Sequence, residues 1–241
     1  MSKIRGDRGA LGHGNVEEEI DFVRQEYVPH LLKRAGLEEF PSCFVVIDIE
    51  TSGKHPINSK ALQFGVVKVE DGQIVESTGA YFKHPEEVTE ETIGWNGITA
   101  ETLEKEGIPP EELYPIIGRL LKEARDDGCI FVGHNAIRFD IPFLEYYLRA
   151  FGVPFEFGVD EVIDTGMWVK GVQLSQRPTA RDTLRSFAYR IGEIHSRVKW
   201  SLDRYCILTY ELDAEPDKAH DAVYDCYITC LLLKRLVGGT L

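Results

Sequence analysis

The segment Phe44-Val45-Val46-Ile47-Asp48-Ile49-Glu50-Thr51 constrains the fold most, because an apolar strand here carries two acids at alternate positions. Side chains of a strand alternate between its two faces, so Asp48 and Glu50 share one face. Two carboxylates so placed repel each other unless a divalent cation or another partner compensates, since unpaired buried charge costs several kcal/mol. The spacing alone is weak. Forty acids in 241 residues give roughly six or seven acidic-x-acidic pairs by chance, and an exposed strand end with two solvated acids is the alternative reading of this segment.

Around that strand, others are expected at about 62 to 70 and 73 to 83. Glu70-Asp71-Gly72-Gln73 joins them, and its Asp-Gly pair marks a tight hairpin, so three antiparallel neighbours follow. Cys129-Ile130-Phe131-Val132-Gly133 is a short apolar run between turn signals and reads as a buried parallel strand, with a fifth at Glu161-Val162-Ile163. Helical spacing runs from Val16 to Leu37, broken at Pro29 and stopped by Gly36. An amphipathic helix carries Leu113, Ile117 and Leu121. Further helices are expected near Glu101 and at about 140 to 151, 164 to 172, 179 to 191, 200 to 210 and 217 to 236. This order predicts an α/β fold, a mixed five-stranded sheet in an α/β/α sandwich. Residues 1–14 are expected as a disordered tail, 15–40 as a helical extension and 41–238 as one globular domain.

No run of about 18 apolar residues can span a bilayer. Met1-Ser2-Lys3-Ile4-Arg5 leads into glycine and polar residues rather than a signal-peptide core. A soluble, cytoplasmic protein with no membrane partner is expected. The five cysteines form no C-x-x-C pair, so reduced core thiols are expected rather than zinc ligands or a disulfide. The net charge of -13 argues against a polyanionic partner. Residues 177 to 204 are the exception: seven basic residues, Arg181 and Arg185 among them, face three acids. That segment is either a phosphate track or a solvated helix face.

Two later segments answer the first. Phe131 to Leu144 reads as a strand, a polar turn and a helix with Asp140 in its first turn, a place that the helix dipole favours for any acid. Further on, His220 stands five positions before Asp225 at the start of an apolar helix. A buried helical acid there asks for a partner, and an imidazole titrates close to neutrality, which suits general-base work. An exposed pair at a helix start fits the spacing equally.

In order, D-x-E-T at Asp48, H-N-x-x-x-F-D at His134 and H-x-x-x-x-D at His220 resemble the motifs of the DnaQ-like (DEDDh) 3′-5′ exonucleases. The resemblance covers about Phe44 to Leu236, with further matches at Asn96-Gly97-Ile98-Thr99, Asp164-Thr165 and Ser201-Leu202. It implies a ribonuclease-H-like fold, Asp48, Glu50, Asp140 and Asp225 as metal ligands, and His220 as general base. It implies two Mg2+ or Mn2+ ions and release of 5′-mononucleotides from single-stranded DNA or RNA. Thr51, Asn96, Asn135, Phe139, Arg181 and Arg185 are the candidate substrate-binding residues, with Trp95, Phe139 and Phe143 as candidate stacking groups or core aromatics. A homodimer or a separate polymerase is the expected protein partner. The loop after the first motif, Thr51-Ser52-Gly53-Lys54-His55, lacks the apolar residue that such enzymes commonly wedge against the terminal base. Two alternatives stand beside this reading. A phosphoesterase of short oligonucleotides or nucleotides would gain nothing from the 177 to 204 segment, and a non-catalytic scaffold would have no physical reason to keep four mutually repelling acids.

Overall fold

The computed structural model describes residues 15–238, so the tail expected at 1–14 lies outside the described residues. Five strands, β1 (Cys43–Thr51), β2 (Ala61–Glu70), β3 (Gln73–Tyr81), β4 (Ile130–Gly133) and β5 (Val162–Asp164), form one sheet in the order β3-β2-β1-β4-β5. β1 pairs antiparallel with β2, and β2 with β3; β1 to β4 and β4 to β5 are parallel. Asp71 and Gly72 are both left-handed, at φ 46° and 78°, as a two-residue hairpin requires.

The helices are α1 (Val16–Phe22), α2 (Val28–Ala35), α3 (Glu90–Asn96), α4 (Ala100–Glu106), α5 (Pro110–Asp126), α6 (Asp140–Ala150), α7 (Thr165–Gln173), α8 (Leu184–Glu193), α9 (Ile207–Thr209) and α10 (Ala222–Val237). α10 crosses β1, β2, β3 and β4 and meets α1 and α7, whereas α5 and α6 pair with each other in the opposite layer. This is the mixed α/β/α sandwich that the sequence predicts. α1 and α2 are joined by a π-helical turn, Val23–Tyr27, just ahead of Pro29. Ile20, Val23, Tyr27 and Leu31 are fully buried in the same core as the sheet, and the Tyr27 hydroxyl donates to the carbonyl of Gln176 at 2.8 Å.

Four expectations need correction. α8 starts at Leu184 rather than 179, because Thr183 and Ser186 form a reciprocal capping box there. The helix expected at 200 to 210 is a π-helical turn, Leu202–Cys206, followed by the single turn α9. α10 starts at Ala222 rather than 217, because the Asp221 carboxylate accepts the Tyr224 N–H and caps it. Finally, Cys43 and Cys129 are joined by a disulfide. Parallel pairing sets Phe44 against Ile130, so the residues just before them meet across the sheet, a proximity that linear spacing does not disclose. Cys206, Cys226 and Cys230 are free and buried, as expected.

Candidate active site

Three elements bring the acids together. Cross-strand register sets Asp48 opposite Gly65 and Glu50 opposite Gln63 on β2, while Gly65 faces Gly79 on β3. A Cβ on Gly65 would stand 2.3 Å from the backbone of Ala222, and one on Gly79 would stand 2.4 Å from the Val223 side chain. The missing methyls therefore let the first turn of α10 rest directly on the sheet beside Asp48. Gln63 fastens it there: its amide nitrogen donates to Asp221 at 2.8 Å and its oxygen accepts the Ala222 N–H at 3.0 Å. Asp225, one turn along α10, is 8% exposed. Sequence reasoning passed over Gln63 and Asp221. A buried amide two residues from a glycine in an apolar strand was the available signal.

Asp140 opens α6 and is buried, and its carboxylate accepts the N–H of Ile49 at 2.9 Å. It reaches back to β1 between Asp48 and Glu50 instead of capping its own helix. Asp164 fixes the turn that delivers it, accepting N–H groups of Asn135, Ile137 and Met167 at 2.9, 3.1 and 3.0 Å. Asn135 takes a left-handed φ of 66° within that turn. His134, from the same motif, is structural: its ring bonds the Thr165 hydroxyl and the Trp200 carbonyl, and burial holds it down at about 4.

The electrostatics are those of acids without counter-charge. Burial, then the charges of Asp140 and Asp225, raise Asp48 well above the ordinary carboxyl range. Burial and the same two neighbours push Glu50 up to about 9. Asp140 and Asp225 rise to about 7, chiefly through burial, against the opposing pull of the N–H groups that each accepts. A divalent cation fits this donor set, because positive charge at its centre relieves burial and repulsion together.

His220 is exposed and precedes α10, at a left-handed φ of 74°. Such a φ is uncommon for any residue but glycine and costs on the order of 1–3 kcal/mol. Its N–H donates to both Asp225 oxygens, at 3.3 and 3.2 Å. One ring nitrogen of His220 and one carboxylate oxygen each of Glu50 and Asp225 lie within 4.8 Å of one another.

A cleft of about 320 Å³ adjoins Glu50 and is lined by Thr51, Lys54, Trp95, Asn96 and Phe139. Asn96 ties its wall together, donating to the Thr51 carbonyl at 3.4 Å and accepting the Ile98 N–H at 3.1 Å. Of the candidate substrate residues, Thr51, Asn96 and Phe139 meet here, whereas Asn135, Arg181 and Arg185 do not line this cleft. Arg181 is exposed. Arg185 turns inward, donating to Glu145 at 3.0 Å and to the Phe157 carbonyl at 2.9 Å. Arg177 and Arg190 pair with Glu26 and Asp182, so with Arg185 three of the seven basic residues of that segment are paired to acids within the fold.

A family model described as an exonuclease, RNase_T, matches residues 45–233. The 3′-5′ exonuclease DinG of Bacillus subtilis (strain 168) is 36% identical over 196 residues, covering 80% of this chain and 17% of that protein. A PolC-type DNA polymerase III of Halalkalibacterium halodurans is 28% identical over 214 residues, covering 87% of this chain and 12% of that protein. The chain thus spans less than a fifth of these curated relatives. Among solved structures, the zinc-bound E. coli ExoI–ssDNA complex superposes with a TM-score of 0.60 at 19% identity, over 82% of this chain and 40% of that one. At that identity the likeness concerns the fold, which is ribonuclease-H-like.

Proposed function

Because the chain belongs to the RNase_T exonuclease family, we propose that it removes nucleotides from the 3′ end of single-stranded DNA or RNA, releasing 5′-mononucleotides. The observation that carries this reading is the convergence of four mutually repelling carboxyls and one histidine beside a cleft with an exposed tryptophan. Asp48, Glu50, Asp140 and Asp225 hold divalent cations, two Mg2+ or Mn2+ in this reading. When bound, such ions activate the attacking water and neutralise charge developing at the phosphate.

The protein's own groups do the rest. His220 is the general base: its strained backbone swings the imidazole toward Glu50 and Asp225, where it accepts the proton of the attacking water. The N–H bonds from His220 to Asp225 tie the position of the base to that of a ligand. Trp95 and Phe139 stack on the terminal base, Asn96 and Thr51 receive the terminal sugar, and Lys54 meets a phosphate. Exposed Arg181 stays on the strand path with Asn135, whereas the internal pairing of Arg185 gives it a structural part. The unit that performs the chemistry is 41–238, with 15–40 as a helical extension packed on it. The PolC-type relatives support a polymerase as protein partner, and a homodimer is the alternative.

The test is digestion of 5′-labelled DNA and RNA strands in Mg2+, Mn2+ or EDTA, beside Asp225→Asn. A metal-dependent ladder that the variant does not produce is the expected result. Strands left intact by the wild-type protein in every metal would overturn the proposal.

A further inference from the structure

Next to the acidic cleft lies a pocket of opposite character. Its volume is about 380 Å³, and Arg138, Lys170, Glu193, His195 and Ser196 line it. Lys170, on α7, is 6% exposed. Its ammonium donates to the Gly192 carbonyl at 3.0 Å and stands 6.0 Å from the centre of the Trp200 ring. An ammonium has three N–H donors, so two are left for another acceptor. Burial and then the Arg138 charge lower the pKa of Lys170, with the Glu193 charge opposing them. The one acid in the lining is Glu193, which accepts from Arg138 at 2.7 Å, but the two side chains are 69% and 34% exposed. A pair so open to water adds little stability and exchanges readily for a stronger anion.

The pocket is coupled to the site through one short turn. Phe139 lines the acidic cleft, its neighbour Arg138 lines the basic pocket, and Asp140 follows at once with its carboxylate on β1. This turn is thus a rib of backbone that both sites share. Asp164 holds the rib rigid. On a chain of net charge -13, cationic contacts for a strand are scarce, and this pocket offers two beside that turn.

We propose that this pocket binds an internucleotide phosphate of the substrate strand on the 5′ side of the linkage being cut, with Arg138 and Lys170 as its cationic contacts. The proposal rests on the exonuclease reading above. Glu193 is then a competitor that the phosphate displaces. Its removal should strengthen binding, and loss of Arg138 should weaken it.

The experiment is single-turnover cleavage in Mg2+ of decathymidylate and dithymidylate, and of decauridylate and diuridylate, across enzyme and salt concentrations. Arg138→Gln should raise the half-saturating enzyme concentration for the cleaved decamer by roughly tenfold more than for its dinucleotide. It should also lower the decamer's salt slope by about 0.7, the value of one single-strand phosphate contact. Glu193→Gln, at an exposed position with no folding risk, should lower the decamer's half-saturating concentration and steepen its slope. Equal shifts for decamer and dinucleotide in Arg138→Gln, or weaker decamer binding in Glu193→Gln, would overturn the subsite while leaving the exonuclease intact. Wild-type protein inert toward all four substrates would instead overturn the exonuclease reading, and the subsite with it.

Discussion

Replacing Asp225 by asparagine should make the metal-free protein more stable and the Mg2+-loaded protein less so. Asp225 is 8% exposed, and burial outweighs the bonds it accepts from the His220 N–H to raise its carboxyl from 3.8 to about 7. A raised carboxyl opposes folding as pH climbs. Below pH 3.8 it is neutral in both states; between 3.8 and about 7 the unfolded chain ionises while the fold keeps its proton; above 7 the full cost is present. At about 1.36 kcal/mol per pH unit, that cost is about 2 kcal/mol at pH 5 and about 4 kcal/mol at pH 8. Asparagine has nearly the same volume, still accepts the His220 N–H and carries no charge. Its amide nitrogen replaces one of the two oxygens that accept the His220 N–H, and a buried donor so placed takes back part of the gain. The expected net is about 2–3 kcal/mol at pH 8, a rise of roughly 5–10 °C in melting temperature for a chain of this size. The assay is thermal unfolding in EDTA at pH 5, 6, 7 and 8, then repeated in saturating Mg2+. The increment should shrink toward pH 5, and Mg2+ should stabilise the wild type more than the variant. A metal-free variant less stable than wild type at pH 8, or an increment independent of pH, would refute the reasoning.

Other substitutions separate the parts of the site. His220→Ala should still bind Mg2+ by calorimetry while single-turnover cleavage slows by roughly 100-fold to 10,000-fold; full rate would remove it as the base. Gly65→Ala puts a methyl 2.3 Å from the Ala222 backbone, so it should destabilise the fold by about 1–3 kcal/mol and abolish stabilisation by Mg2+ in thermal melts. Trp95→Ala, at a side chain 46% exposed, should leave the melting temperature unchanged and raise KM roughly tenfold by removing one stacked base.

What the sequence disclosed and what it withheld divide along physical lines. The strands were legible because alternation and the Asp71-Gly72 turn are local signals, and they predict the order in which β1, β2 and β3 pair. The acids of β1 stood out because two carboxyls on one face of an apolar strand repel each other unless a cation or water compensates. Contacts set by the register between distant elements were hidden. The Cys43–Cys129 bond joins residues 86 apart, and Gln63 meets Asp221 across 158 positions. The start of α10 was missed because apolar periodicity marks the body of a helix, whereas Asp221 decides where it begins and leaves His220 outside it. The pairing of Arg185 was hidden for a related reason: composition records the guanidinium but not Glu145 beside it.

The central claim is that the carboxyl cluster is a metal-dependent centre acting from the 3′ end. Its most direct test follows one single strand in Mg2+, labelled in parallel at its 3′ or its 5′ terminus, with EDTA as control. Immediate release of the 3′ label as a mononucleotide, a descending ladder from the 5′ label, and no reaction in EDTA are the expected results. Immediate release of the 5′ label, internal fragments from both, or undiminished cleavage in EDTA would contradict it.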